Sequence, residues 1–151
     1  VDSSFEELDN SDFRPFRALN DMPISLSAHV CYQALDAKLP GTLSAKVIAG
    51  AIRGAIAFDG LLLSDDLSMP ALSCTPGVRA RAALAAGCDV ALHCNGQPEE
   101  MDDVADNVAE LSSAALRRWA IAKNRLSQDK INNFNELLEE FDNLMEEHSS
   151  T

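Results

Sequence analysis

The sequence predicts an α/β fold built from parallel βαβ units, and three observations carry that expectation. Strand-like and helix-like segments alternate along residues 24–94, the rhythm of strands joined by crossover helices. The run Leu61-Leu62-Leu63 is apolar at every position, which suits a strand buried on both faces. It then hands over within one step to Ser64-Asp65-Asp66-Leu67-Ser68-Met69. In α/β folds the C-terminal ends of buried strands are where catalytic groups collect. The plainer reading is a strand ending in a solvated loop, with Asp66 or Ser68 capping the next helix.

The elements follow in order. Ser3 and Ser4 each have a glutamate three residues on, the spacing of a capping box, so a helix begins there. Pro15 interrupts the stripe of Phe5, Leu8, Phe16 and Leu19, and two short helices over residues 4–10 and 13–20 are expected in place of one. After the turn Asn20-Asp21-Met22-Pro23, residues 24–32 alternate with the period of a strand. Ile24, Leu26, Ala28 and Val30 share one face; Ser25, Ser27, His29 and Cys31 share the other. His29 thus points away from the leucine face, where a lone histidine is more often a hydrogen-bonded rim or core residue than a catalyst.

Residues 33–41 read as a loop, and Thr42 or Ser44 caps a helix over residues 45–56 with Val47, Ile48, Ala51, Ile52 and Ala55 on its apolar face. Gly50 and Gly54 weaken that helix while allowing close approach to the sheet. The strand at residues 61–64 follows. Pro76 suits the first turn of a helix over residues 78–86, which Gly87 ends. A third strand is expected at residues 89–94. Beyond Pro98, the acidic start Glu99-Glu100-Met101-Asp102-Asp103 opens a helix running to about residue 125, with Val104, Val108, Leu111, Ala115, Leu116 and Trp119 as its stripe. Phe134, Leu137, Leu138, Phe141 and Met145 give strong helical periodicity over residues 131–147. The chain therefore divides into a principal α/β unit, residues 1–127, and a C-terminal amphipathic helix and tail, residues 128–151.

Composition narrows the function classes. The formal net charge of −12 argues against nucleic acid or an anionic membrane as partner, since both reward clustered Lys and Arg. No apolar run approaches the ~20 residues needed to span a bilayer. Cys31, Cys74, Cys88 and Cys94 form no C-x-x-C pair and no disulfide framework, so a reducing, cytoplasmic setting is the expectation.

The segment Phe58-Asp59-Gly60-Leu61-Leu62-Leu63-Ser64-Asp65-Asp66-Leu67-Ser68-Met69 resembles the nucleophile segment of the family 3 glycoside hydrolases, in particular bacterial β-N-acetylhexosaminidases. The resemblance continues through Asp12-Phe13-Arg14-Pro15-Phe16-Arg17, Ser27-Ala28-His29-Val30, Arg81-Ala82-Ala83-Leu84-Ala85-Ala86-Gly87-Cys88-Asp89 and Leu92-His93-Cys94-Asn95, and so covers roughly residues 1–120. It implies a (β/α)8 barrel, which typically needs ~250 residues. These 151 residues correspond to its C-terminal part, about three parallel strands with flanking helices, plus C-terminal helices.

The implied activity is retaining hydrolysis that releases terminal N-acetylglucosamine from muropeptides in peptidoglycan recycling, without a cofactor. By position the implied nucleophile is Asp65. Asp66 is the weaker candidate, because adjacent residues on an extended segment point opposite ways. His29 falls near the sugar site and is carried as a substrate-binding candidate. The family's acid/base histidine loop and its Lys-His-Phe-Pro-Gly-His sugar-gripping block are not found in this sequence, so no proton donor is assigned. Low or no activity is expected of these residues alone. A metal site built from Asp65, Asp66 and His29 or His93 has no characteristic ligand spacing behind it. The alternative function is a non-catalytic fragment or interaction module. Open barrel edges would also favour self-association.

Overall fold

The structure, a computed structural model, describes residues 1–128 and, beyond them, Leu138, Glu139, Phe141 and Met145. The predicted C-terminal helix and the boundary at residue 128 therefore fall largely outside the described residues. The described part is α/β, with a parallel strand pair at its centre.

Ser4 makes the capping box the sequence announced, accepting from the Glu7 amide while the Glu7 carboxylate takes the Ser4 amide. It starts α1 (Phe5–Asn10), and α2 (Phe13–Ala18) follows as a separate piece, with Pro15 inside its first turn. Leu8 and Phe13 are the buried members of the pair.

The first strand is shorter than expected. β1 is Ile24–Leu26 and pairs in parallel with β2, Leu61–Leu63, in the register Ile24↔Leu61, Ser25↔Leu62 and Leu26↔Leu63. One further rung, Ser27 N–H to Leu63 O at 2.9 Å, ends the ladder. Past it the amides of Gly41 and Thr42 donate to the carbonyls of Val30 and Ala28, so the chain turns to serve the short 3₁₀ turn Gly41–Leu43. The burial is also the reverse of a strand with its leucine face covered: Leu26 is 54% exposed while Ser27 is buried. Leu61 and Leu62 are both buried, as an all-apolar run on successive opposite faces requires.

Ser44, not Thr42, caps α3 (Ala45–Val47), its hydroxyl accepting from the Val47 amide. The helix then widens without a break into the π-helical segment Ile48–Ala55, where Ile56 N–H reaches back five residues to Ala51 O. Gly50 faces open space and Gly54 faces only the Ala49 carbonyl, so neither glycine brings this helix closer to the sheet. α4 (Pro76–Ala86) begins on its proline and ends at Gly87, whose φ of 118° lies in the left-handed region that favours glycine.

Residues 89–94 form no full strand. Val90 makes a single parallel bridge with Leu63, Ser64 N–H donating to Val90 O and Val90 N–H to Leu62 O; Leu67 N–H also reaches Leu92 O, and side chains supply two further bonds. The Asp89 carboxylate accepts the Leu62 amide at 2.9 Å, and the Ser64 hydroxyl accepts the Leu92 amide at 2.8 Å. The single long helix expected after Pro98 is two: α5 (Pro98–Asn107) and α6 (Ser113–Gln128). Ser112 divides them, because its hydroxyl accepts the Ala115 amide as an N-cap. α6 buries Ala115 and Ala122, and turns Leu116 and Trp119 outward. Arg118, on the inner side, joins Arg53 on the Asp89 carboxylate at 2.9 and 2.8 Å.

Candidate active site

Asp65 lies two residues beyond the end of β2, and His29 lies three residues beyond the end of β1. The strands are parallel, so both sit at the C-terminal end of the sheet, and His93 joins them three residues past the Val90 bridge. The sharp change from leucine to aspartate works locally because Ser64, fully buried, carries the last apolar-side position while still bonding the Leu92 amide.

The two aspartates have different work. Both oxygens of Asp66 are engaged: Oδ1 accepts the amides of Ser68 (2.9 Å) and Cys94 (3.1 Å), and Oδ2 accepts the Ser68 hydroxyl (2.6 Å). Burial works against its charge, but these hydrogen bonds and nearby His93 hold its carboxyl below the ordinary value. Asp66 is thus a loop clamp tying residues 66–68 to Cys94, and it caps no helix, since the next one starts at Pro76. Asp65 is half-buried and spends only Oδ1, on the Asp66 amide at 2.9 Å. Among the described residues its Oδ2 has no hydrogen-bond partner, which leaves one carboxylate oxygen open for chemistry.

His29 is fully occupied by the protein. Its Nε2 lies 2.9 Å from the Asp66 carbonyl oxygen and its Nδ1 lies 3.0 Å from the Thr42 hydroxyl. Thr42 is in turn 2.8 Å from the Ser27 hydroxyl, which accepts the Asp65 amide at 3.2 Å. Ser27 and Thr42 were not singled out as site residues from sequence. The polar face Ser25/Ser27/His29 was the available signal for Ser27, whereas Thr42 was hidden behind its resemblance to a helix cap.

His93 is brought close to Asp66 without joining it by a hydrogen bond. Its side chain is only 6% exposed, and neither ring nitrogen has an aligned hydrogen-bond partner among the described residues; Nε2 stands 3.3 Å from Glu100 Oε2. Among the described residues no three His, Cys, Asp or Glu side chains gather closely enough to hold a metal ion.

An apolar cleft of about 290 Å³ lies against β1 and is lined by Phe16, Leu19, Met22, Leu26 and Ile52 among others. Neither Asp65 nor His29 lines it. Asp65 and His29 sit at the sheet end, outside this cleft, and we place the candidate site by its carboxylate.

The family profile described as the glycosyl hydrolase family 3 N-terminal domain matches residues 1–128. The chain belongs to that family. The beta-hexosaminidase of Alkalilimnicola ehrlichii is 43% identical over 101 residues, 64% of this chain and 28% of its own length. That of Pseudomonas aeruginosa is 38% identical over 121 residues, 78% of this chain and 33% of its own. Among solved structures, the family 3 β-N-acetylglucosaminidase of Paenibacillus sp. FPU-7 superposes with a TM-score of 0.71 at 28% identity, over 86% of this chain and 27% of that one. The NagZ of Neisseria gonorrhoeae, solved with N-trifluoroacetyl-D-glucosamine, gives 0.68 at 32% identity over 80% of this chain and 34% of its own. The chain thus spans about a third of the length of the curated relatives it matches. No described helix is long and apolar enough to cross a membrane.

Proposed function

We propose that this chain is the nucleophile-bearing part of a retaining β-N-acetylhexosaminidase. It would act on terminal N-acetylglucosamine of muropeptides, in the cytoplasm, during peptidoglycan recycling. The parallel pair, its bridged neighbour and their helices read as the C-terminal part of a (β/α)8 barrel. The observation that carries the reading is the contrast between the aspartates: Asp66 is saturated by hydrogen bonds, while Asp65 keeps an oxygen free at the C-terminal end of a buried strand. Family membership and the names of the relatives supply the substrate class.

In this reading Asp65 attacks the anomeric carbon, the leaving oxygen takes a proton from a separate group, and water then hydrolyses the glycosyl ester with net retention. No described side chain is assigned as the proton donor. General acid catalysis is typically worth ~10²–10⁴-fold, so these residues alone should turn over natural muropeptides negligibly. The contribution of His29 to sugar binding is indirect, through the loop it holds. Under the alternative reading, a non-catalytic interaction module, the exposed apolar cleft would be the working surface.

A reagent that needs no acid separates the two. A 5-fluoro N-acetylglucosaminyl fluoride has a self-sufficient leaving group and forms a slowly hydrolysed ester. The expected result is a covalent adduct on Asp65 by peptide mass spectrometry, lost in Asp65→Ala and kept in Asp66→Asn. Absence of adduct, or an adduct indifferent to Asp65→Ala, overturns the assignment.

A further inference from the structure

We infer that His29 is a positioning residue held in a single tautomer, because it closes a one-way circuit of hydrogen bonds around the backbone of Asp65 and Asp66. The circuit runs Asp65 N–H, Ser27 Oγ, Thr42 Oγ1, His29 Nδ1, His29 Nε2, Asp66 C=O, with separations of 3.2, 2.8, 3.0 and 2.9 Å across its four hydrogen bonds. Its histidine end fixes its direction. A backbone carbonyl can only accept, so Nε2 carries the hydrogen it donates to Asp66. A neutral ring then presents Nδ1 as acceptor, so the Thr42 hydroxyl donates to it. The hydrogen between the two hydroxyls must therefore come from Ser27, which leaves the Ser27 oxygen accepting.

The other end is compatible with this direction, since the Asp65 amide can only donate and the Ser27 oxygen has a lone pair to receive it. Each hydroxyl has one hydrogen and each is used once. Thr42 is fully buried and Ser27 is 7% exposed, so solvent does not stand in for a missing link.

The consequence for chemistry follows from what the circuit grips. It holds the amide of Asp65 and the carbonyl of Asp66, the two ends of one dipeptide, against residues that follow β1. The Asp65 carboxylate is then aimed by its own backbone rather than by partners that would occupy its open oxygen. A nucleophile must stand within about 3–3.5 Å of the carbon it attacks, and ~1 Å of misplacement can cost ~10²-fold. The family reading of Asp65 enters only in this last step; the tautomer and the circuit rest on geometry alone.

The test has arms that fail separately. Long-range nitrogen–proton NMR on the wild-type protein should show His29 with a protonated Nε2 and an unprotonated Nδ1 in one population. Amide exchange at Asp65 should speed up about 10-fold or more in His29→Leu and in Thr42→Val, with the α4 amides unchanged. It should return toward wild type in His29→Gln, whose amide can still donate to the Asp66 carbonyl. Fluorosugar labelling of Asp65 should slow ~100-fold in His29→Leu at unchanged half-saturation and recover in His29→Gln. An Nδ1–H tautomer, a tautomer mixture, or wild-type exchange in both Thr42→Val and His29→Leu overturns the circuit. Labelling at the wild-type rate in His29→Leu overturns the positioning role. If the wild type takes no label at all, the glycosidase reading fails, and the tautomer and exchange arms still decide the circuit.

Discussion

Replacing Asp89 by alanine should be among the most damaging single changes to the stability of this fold. Its side chain is 5% exposed and serves three donors: Arg53 at 2.8 Å, Arg118 at 2.9 Å and the fully buried Leu62 amide at 2.9 Å. Removing one partner of a buried ion pair typically costs about 3–5 kcal/mol, because the other charge stays behind. An orphaned buried amide adds about 1–3 kcal/mol. Two facts temper the sum. Arg118 keeps Asp59 at 2.7 Å, and the two guanidinium side chains retain 19% and 16% exposure, so water reaches them in part.

A net loss of about 3 kcal/mol is the expectation for Asp89→Ala, and less for Asp89→Asn, whose amide oxygen can still take the Leu62 amide. In urea, with a slope of about 2 kcal/mol/M, this lowers the midpoint by about 1.5 M. Adding Arg53→Met to Asp89→Ala should recover part of the loss, since it removes the stranded charge. A loss below about 1 kcal/mol, or a double variant no better than the single, would refute the reasoning.

Asp66 makes an acid-labile clamp. Its folded carboxyl is held below the ordinary 3.8, so its contribution is complete above that value and disappears as pH falls through the lowered one. Urea melts of wild type and Asp66→Asn should therefore differ at pH 6 and converge toward pH 2; a pH-independent gap contradicts this. Burial, with Asp89 assisting and the Ser27 contact opposing, pushes the Cys88 thiol up to about 11. Iodoacetamide at pH 8 should modify exposed Cys74 readily and reach Cys88 only on unfolding, which peptide mapping over a denaturant series will show. Leu26 at 54% and Phe16 at 58% exposure line the cleft against β1, whose outer edge has no strand partner among the described residues. Sedimentation velocity should show a second copy of the chain associating there at micromolar concentration and Leu26→Lys abolishing it; a concentration-independent monomer contradicts this.

The parts of the fold legible in sequence were those set by local chemistry. Ser4 with Glu7, Ser44, Pro76 and Gly87 marked their helix ends because a cap needs only a few neighbouring residues. The leucine run marked the central strand because burial on both faces leaves no polar position. What failed was set by distant partners. The alternation over residues 24–32 is real, yet strand pairing ends at Leu26, because the 3₁₀ turn takes the next carbonyls. Residues 89–94 look like a strand, but the ladder stops at one bridge with Leu63 and the Asp89 and Ser64 side chains take two of the neighbouring bonds, which no periodicity reports. The stripe Leu116/Trp119 promised a buried face on α6, and the helix instead turns Arg118 inward, because Asp89 waits there. At the site, Asp65 was named by the resemblance of its segment to the family 3 enzymes, since position after a strand alone equally suits a solvated loop. The reason to prefer it over Asp66 became physical only with the Ser68 and Cys94 contacts in view.

The shortness of the ladder beside β2, where side chains make two of the bonds, also gives the molecule a handed stickiness. Beyond β2, the Val90 segment meets the sheet through one bridge, a backbone bond from Leu67 to the Leu92 carbonyl and two residue-specific bonds, and it forms no full strand among the described residues. β1, by contrast, is regular along its length. A body with one regular edge can satisfy it by pairing with a twin about a two-fold axis, the two β1 strands running antiparallel, and growth then stops. Endless stacking requires two such edges. Association of this chain should accordingly terminate at the dimer instead of extending into a filament.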